Sequence, residues 1–435
     1  MHPSSKFANR VDILIRFFLY VLIFWLPYSK AVVEICVIVG AALWLVKRTS
    51  LFLAKRGEGE ASDFLESFKP ASSCLTLPIG LFLVACVISI SGSLFWQSSL
   101  RAFFTKTLEW FAIYFLVVEV FNRKKHVWTA LIIFVFTAFS TAVDGLVQYY
   151  LTHRDVFMGY ALTEGYRVTA GFSHANGLGA FFTMAIPVTL SFAMIAWHSF
   201  RLRAFLWAAF AVMVWAFLLT FSRASWFAVL ASVLFMSLFW LKKAIASRLI
   251  VLLFVICLGM TGYFKLTTTA ADQRLRPQNI SASLGWRLAI WKDSLQMIKD
   301  RPFFGHGINS YMKLFQEYRR RRGGEGGGVY SPTYAHNSYL QLAAETGLAG
   351  LSAFALILGT LMCRATKAYR KFVKGHLPRE GGLFLGLMGG CVAYFTQSIF
   401  DVDFYSLQLV ALIWYMIGVL ISMQKLLCNS DGCDI

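Results

Sequence analysis

Twelve runs of about 20 mostly apolar residues, interrupted by a single long polar stretch, restrict what this chain can fold into. The runs lie near 11–29, 31–47, 75–92, 106–121, 127–150, 173–197, 204–222, 225–241, 249–264, 338–363, 382–400 and 404–424. A run of that length crosses a bilayer as a helix, because in lipid each backbone group must be paired within the segment. The runs are apolar all round rather than along one stripe, as expected of helices embedded in lipid. Hydrophobic residues make up 58% of the chain and charged residues 14%. A soluble chain carries roughly a quarter of its residues as charges. The expected fold is therefore all-α: a polytopic membrane protein of about twelve transmembrane helices with one long loop containing amphipathic helices. Residues 1–435 are expected to form a single integral membrane domain, with 265–337 as the large loop within it. The N-terminal apolar run lacks a small-residue cleavage site and reads as a first transmembrane helix.

The net charge of +19 raises the question of nucleic acid, but no RNA- or DNA-binding motif accompanies it. Its distribution answers a different question. With the N-terminus cytoplasmic, 22 of the 41 lysines and arginines fall in cytoplasmic segments, 6 in short outer loops and 12 in the long loop. That asymmetry follows the positive-inside rule, from which a loop of this length is exempt. Both termini are thus expected in the cytoplasm and the long loop outside, in the periplasm of a Gram-negative cell. The eight cysteines are scattered, with no CxxC pair and no zinc spacing, and read as core residues.

Within the long loop, Ser283-Leu284-Gly285-Trp286 opens a helical pattern that places Leu288, Trp291, Leu295 and Ile298 on one face and stops before Pro302. A cationic, Trp-bearing amphipathic helix beside a membrane is expected to lie in the headgroup layer. A second helix is expected from Asn309 or Ser310 to about Arg321, followed by the glycine-rich run 323–328 as a flexible joint. The Arg319–Arg322 cluster reads as a solvated or headgroup-facing patch.

Ionisable residues at the outer membrane surface are few and costly, so each is a functional candidate. His336 stands immediately before a span. It suits general-base work on a hydroxyl, and equally an interfacial histidine bonded to a carbonyl. Arg223 lies in the tight turn Phe221-Ser222-Arg223-Ala224 between two spans, Arg287 opens the amphipathic helix, and Arg167 lies in Gly165-Tyr166-Arg167. Three guanidinium groups approaching one face suit a diphosphate and can offset leaving-group charge. His174, Asn176 and Asn337 are further substrate-binding candidates. Asp401-Val402-Asp403 reads as a hydrogen-bonding turn. With no His/Glu ligand spacing and no DxD pair set in a nucleotide-binding fold, neither a metal nor a cofactor is expected.

Three segments together resemble the O-antigen ligase and O-antigen polymerase family of the bacterial inner membrane. They are Gly171-Phe172-Ser173-His174-Ala175-Asn176-Gly177; Gly285-Trp286-Arg287 through Asp300-Arg301-Pro302-Phe303-Phe304-Gly305-His306-Gly307; and His336-Asn337-Ser338-Tyr339-Leu340-Gln341 followed by Glu345-Thr346-Gly347. Ser222-Arg223-Ala224 matches as well. The resemblance implies a metal-independent glycosyltransferase using an undecaprenyl-diphosphate-linked glycan donor at a periplasmic active site. On the matching positions, His336 is the base for the acceptor hydroxyl. Arg223 and Arg287 bind the diphosphate, with Arg167 as a third.

The favoured expectation is a ligase that moves the glycan to a lipid A–core sugar, completing lipopolysaccharide. The alternative is a polymerase that moves it to another lipid-linked repeat. A protein-glycosylating relative fits less well, because about a dozen residues follow the final span. A polysaccharide transporter or flippase also fits less well, because the two halves show no internal symmetry.

Overall fold

A computed structural model describes residues 3–57, 64–195, 199–240, 277–321, 334–375 and 377–428. Apart from two isolated bridges, Arg154 with Ala161 and Thr163 with Arg167, its regular elements are helices. In order these are α1 (Pro3–Trp25), α2 (Lys30–Gly57), α3 (Phe64–Ser67), α4 (Thr76–Ser91), α5 (Trp96–Ala102), α6 (Leu108–Val120) and α7 (Lys124–Val147). There follow α8 (Ala175–Met194), α9 (Phe200–Leu218), α10 (Arg223–Trp240), α11 (Pro277–Asp300), α12 (Tyr311–Arg321), α13 (Ser338–Lys374), α14 (Pro378–Gln397) and α15 (Leu407–Cys428). One π-helical turn, Phe103–Thr107, joins α5 to α6, and another, Gln148–Thr152, ends α7.

Five described helices are long and apolar enough to cross a membrane: Lys124–Thr152, Ala175–Met194, Phe200–Leu218, Ser338–Lys374 and Leu407–Leu427. This is an all-α membrane protein. The expected ninth span at 249–264, the start of the long loop and the glycine-rich run 323–328 lie outside the described residues.

The centre of the bundle is α15, buried along most of its length and packed chiefly on α6, with α8 and α14 packed on each other beside it. Glycines set how closely these helices approach. A Cβ on Gly386 of α14 would stand 2.3 Å from Ser191 Oγ of α8, and one on Gly389 would stand 2.6 Å from Met236 Sδ of α10. Small residues permit such contact between apolar helices, where packing rather than water exclusion drives association. At one end of the bundle, Lys47 Nζ pairs with Asp12 (2.7 Å) and Glu119 (2.8 Å). Arg48 and Trp44 Nε1 also bond Glu119, at 2.9 and 2.7 Å. The site described below occupies the other end.

The long α13 breaks at Gly347, whose φ of 69° is open to glycine and strained in other residues. The break frees backbone groups on both sides of it, and the 302–307 segment pairs them. Leu348 and Ala349 N–H donate to the carbonyls of Pro302 (2.7 Å) and Phe303 (3.1 Å). His306 and Gly307 N–H donate to those of Ala344 (3.0 Å) and Glu345 (2.8 Å). Glu345 is buried, and its carboxylate accepts from the Asn309 and Tyr311 N–H groups and the Tyr405 hydroxyl, at 2.9, 3.2 and 2.9 Å. One carboxylate thus ties the start of α12 to the bundle, where it also meets the positive end of that helix.

One expectation about the loop is corrected, and the inward face of α11 is defined. The buried face of α11 is Ile290, Asp293, Ser294 and Met297, whereas Leu288 and Leu295 are 52% and 48% exposed. Ile290 and Met297 form a small core with Tyr311, Leu314, Phe315 and Tyr318 of α12, and Ser294 Oγ lies 2.7 Å from Tyr311 Oη. The correction concerns Arg319, which is not a solvated residue: its Nη1 pairs with the buried Asp293 at 3.1 Å. The partner helix supplies both the apolar surface and the counter-charge, so the inward face of α11 can hold Asp293 and Ser294, while Leu288 and Leu295 face outward beside Lys292, Gln296 and Lys299.

Candidate active site

His336 is the last residue but one before α13 and adopts a left-handed backbone, φ 48°. A non-glycine residue there costs about 1–2 kcal/mol, so its surroundings must hold it. They do so from three sides. Asn337 caps α13, its Oδ1 accepting from the Tyr339 and Leu340 N–H groups, both at 3.0 Å. Ser338 N–H donates to the carbonyls of Ser398 and Asp401, at 2.9 and 3.0 Å, and its hydroxyl donates to the Asp401 carbonyl at 2.8 Å. From α11, Trp291 Nε1 donates to the Ala335 carbonyl at 3.0 Å, and the Trp286 ring lies 5.0 Å from the imidazole.

The result is a histidine facing a carboxylate. His336 Nδ1 stands 3.4 Å from Asp401 Oδ1, within ion-pair reach but off hydrogen-bond geometry. Asp401 is itself fixed: Oδ1 accepts from Val402 N–H at 2.9 Å, and Oδ2 accepts from Asn176 Nδ2 at 3.0 Å. Burial works to raise the Asp401 carboxyl, but the His336 imidazole, the Val402 N–H and the Arg287 guanidinium outweigh it. The group is held below the usual carboxylate range. Asp403 goes the other way. Burial and the charge of Asp401 push it well above its ordinary value, offset only in part by the Ser398 hydroxyl at 3.1 Å. Two carboxyls two residues apart are thereby driven to different protonation states.

The arginines approach from separate elements. Arg167 is buried: Nη2 donates to Asn176 Oδ1 (2.6 Å), Nε to the Thr220 carbonyl (2.8 Å), and Nη1 pairs with Glu164 (3.2 Å). It therefore braces Asn176, and through it Asp401, while pinning the 219–222 turn. That turn carries Phe221 at φ 49° and delivers Arg223, half-buried, as the first residue of α10. Arg287, also half-buried, lies close enough for its charge to act on Asp401. His174 stands exposed at the start of α8, with no side-chain cap bond there. Among the described residues, no group of three or more His, Cys, Asp or Glu is arranged to hold a metal ion.

Residues 208–355 match the family model described as O-Antigen ligase. The match supports an O-antigen ligase family assignment. The matched O-antigen ligase region contains Arg223, Arg287 and His336, and leaves Arg167, Asn176 and Asp401 outside. A Haemophilus influenzae protein named only as uncharacterized is 29% identical over 199 residues. That similarity covers 41% of this chain and 47% of the relative, so the chain spans about half the length of the curated relative it matches.

The structure thus joins His336, Asn176 and Arg167 in one chain of contacts and adds Asp401, which sequence reasoning left in a turn. The turn is real, since the Asp401 carbonyl accepts from Ser338, but the side chain of Asp401 also faces the imidazole. The signal was available: an acidic residue between two spans carries the same cost that singled out His336. Asn337 serves as a helix cap, and Glu345, quoted in a motif but given no role, anchors α12.

Proposed function

We propose that the protein is a glycosyltransferase that moves an undecaprenyl-diphosphate-linked glycan onto a lipid A–core sugar at the periplasmic face of the bacterial inner membrane. The O-antigen ligase match supports lipid-linked glycan processing in a membrane. The facing of His336 Nδ1 and Asp401 carries the chemical reading. In this reading the chain crosses the membrane twelve times, both termini are cytoplasmic, and the 265–337 loop is periplasmic. The whole chain forms one integral membrane domain.

The Asp401 carboxylate favours the tautomer with a proton on Nδ1 and leaves the Nε2 lone pair for the acceptor. As the acceptor hydroxyl gives its proton to Nε2, its oxygen bonds to the anomeric carbon. The bond from that carbon to the diphosphate oxygen breaks, and the electron pair leaves with undecaprenyl diphosphate. Asp401 steadies the imidazolium, and Arg223 and Arg287 meet the diphosphate charge. Arg167, Asn176 and Asn337 position these groups, and His174 contacts the glycan from the rim. Direct displacement inverts the anomeric configuration; a retained configuration or a covalent glycosyl-enzyme contradicts this step.

The test is deletion in the native host followed by analysis of its lipopolysaccharide. The proposal predicts loss of all long-chain glycan with lipid-linked donor accumulating. A single repeat unit still joined to core indicates a polymerase instead, and unchanged lipopolysaccharide overturns both.

A further inference from the structure

At the same end of the bundle as His336, α5 and the turns that flank it bury two serines and expose large apolar side chains. Ser99 of α5 and Ser93, just before the helix, are buried against Gly307, their hydroxyl oxygens 3.2 Å apart. Apolar residues of α5 and of the π-helical turn after it face out beside Gln97 and Arg101. Trp96, Leu100 and Phe104 follow one another at helical spacing and are 54%, 39% and 61% exposed. An outward stripe of this kind marks a surface that meets an apolar partner.

Cations rim the same stripe, brought there from different elements. Arg101 is exposed on α5 itself. Lys313 of α12 holds its Nζ 4.8 Å above the Phe95 ring at the start of α5. Arg301, at the end of α11, donates from Nη1 to the Gly92 carbonyl at the end of α4. Tryptophan on an apolar stripe flanked by basic side chains is the chemistry of a surface set into the headgroup layer of an anionic leaflet.

We propose that this face binds a membrane lipid with a net negative headgroup. Trp96, Leu100 and Phe104 sit among its acyl chains, and Arg101, Arg301 and Lys313 meet the headgroup. The surface is distinct from the His336–Asp401 pair and does not depend on the transferase reading.

Native mass spectrometry of the purified full-length protein, titrated with phosphatidylglycerol or phosphatidylcholine, tests this. Wild type is expected to hold phosphatidylglycerol more tightly. Arg101→Gln with Lys313→Gln should weaken phosphatidylglycerol roughly thirtyfold and leave phosphatidylcholine unchanged. Trp96→Ser with Leu100→Ser should weaken both lipids in a protein that remains folded. Unchanged phosphatidylglycerol binding in the charge variant overturns the proposal. So does displacement of the lipid by millimolar inorganic phosphate, which marks a site for soluble anions. A dimer that the apolar variant dissociates with lipid binding unaltered also overturns it, by making the face a contact between two copies.

Discussion

At the scale of single residues, the proposed mechanism makes the charge on Asp401 govern what His336 can do. Asp401→Asn keeps the shape and removes that charge. It is expected to lower the rate of transfer by about 10²–10⁴-fold while the protein stays inserted, measured with lipid-linked donor in vesicles. Wild-type turnover would remove Asp401 from the mechanism. The proposed role of the two arginines at the diphosphate predicts that Arg223→Lys and Arg287→Lys each lose most of the activity, because an ammonium cannot reproduce a bidentate fork. The paired carboxyls also predict opposite effects of pH on stability. Asp401, depressed in the fold, contributes stability that is present above its unfolded value and is lost as pH falls through the lower folded one. Asp403, raised in the fold, binds its proton more tightly there than when unfolded, so stability falls as pH rises through the interval between the two values. Asp403→Asn should abolish that second loss: variant and wild type melt together at low pH, and the variant melts higher at high pH. Parallel melting curves at every pH would contradict the assignment.

At the scale of elements, the join between the 302–307 segment and the break in α13 sets where the loop helices stand. Gly347→Ala would place a Cβ 2.2 Å from the Phe303 carbonyl oxygen in an already strained backbone. The expected outcome is a loss of several degrees in Tm together with loss of transfer; an unshifted melt would show that the join is dispensable. The sequence placed both loop helices, because their apolar spacing and the Pro302 stop are local signals. It did not reveal which face of α11 turns inward. That choice depends on Tyr311, Phe315 and Arg319 arriving from α12, and the pairing of Arg319 with the buried Asp293 has no local sequence signal.

At the scale of the whole molecule, the membrane helices were the most legible feature, because a run of about 20 apolar residues has few alternatives. The site was legible only in part. His336 and Arg223 stood out as polar groups at membrane ends, and Arg287 as the arginine that opens the loop helix. The Arg167–Asn176–Asp401 chain joins residues from three distant stretches, and only tertiary packing reveals it. With two guanidinium groups assigned to the leaving diphosphate, transfer is expected to persist in EDTA; a strict requirement for a divalent ion would contradict that assignment. The central claim is that His336 takes the acceptor proton. His336→Asn tests it most directly, since asparagine tolerates the left-handed backbone at this position but cannot act as the base. The account predicts a protein that inserts and melts like wild type yet transfers glycan at least about 10²-fold more slowly. Turnover within a few-fold of wild type would contradict it.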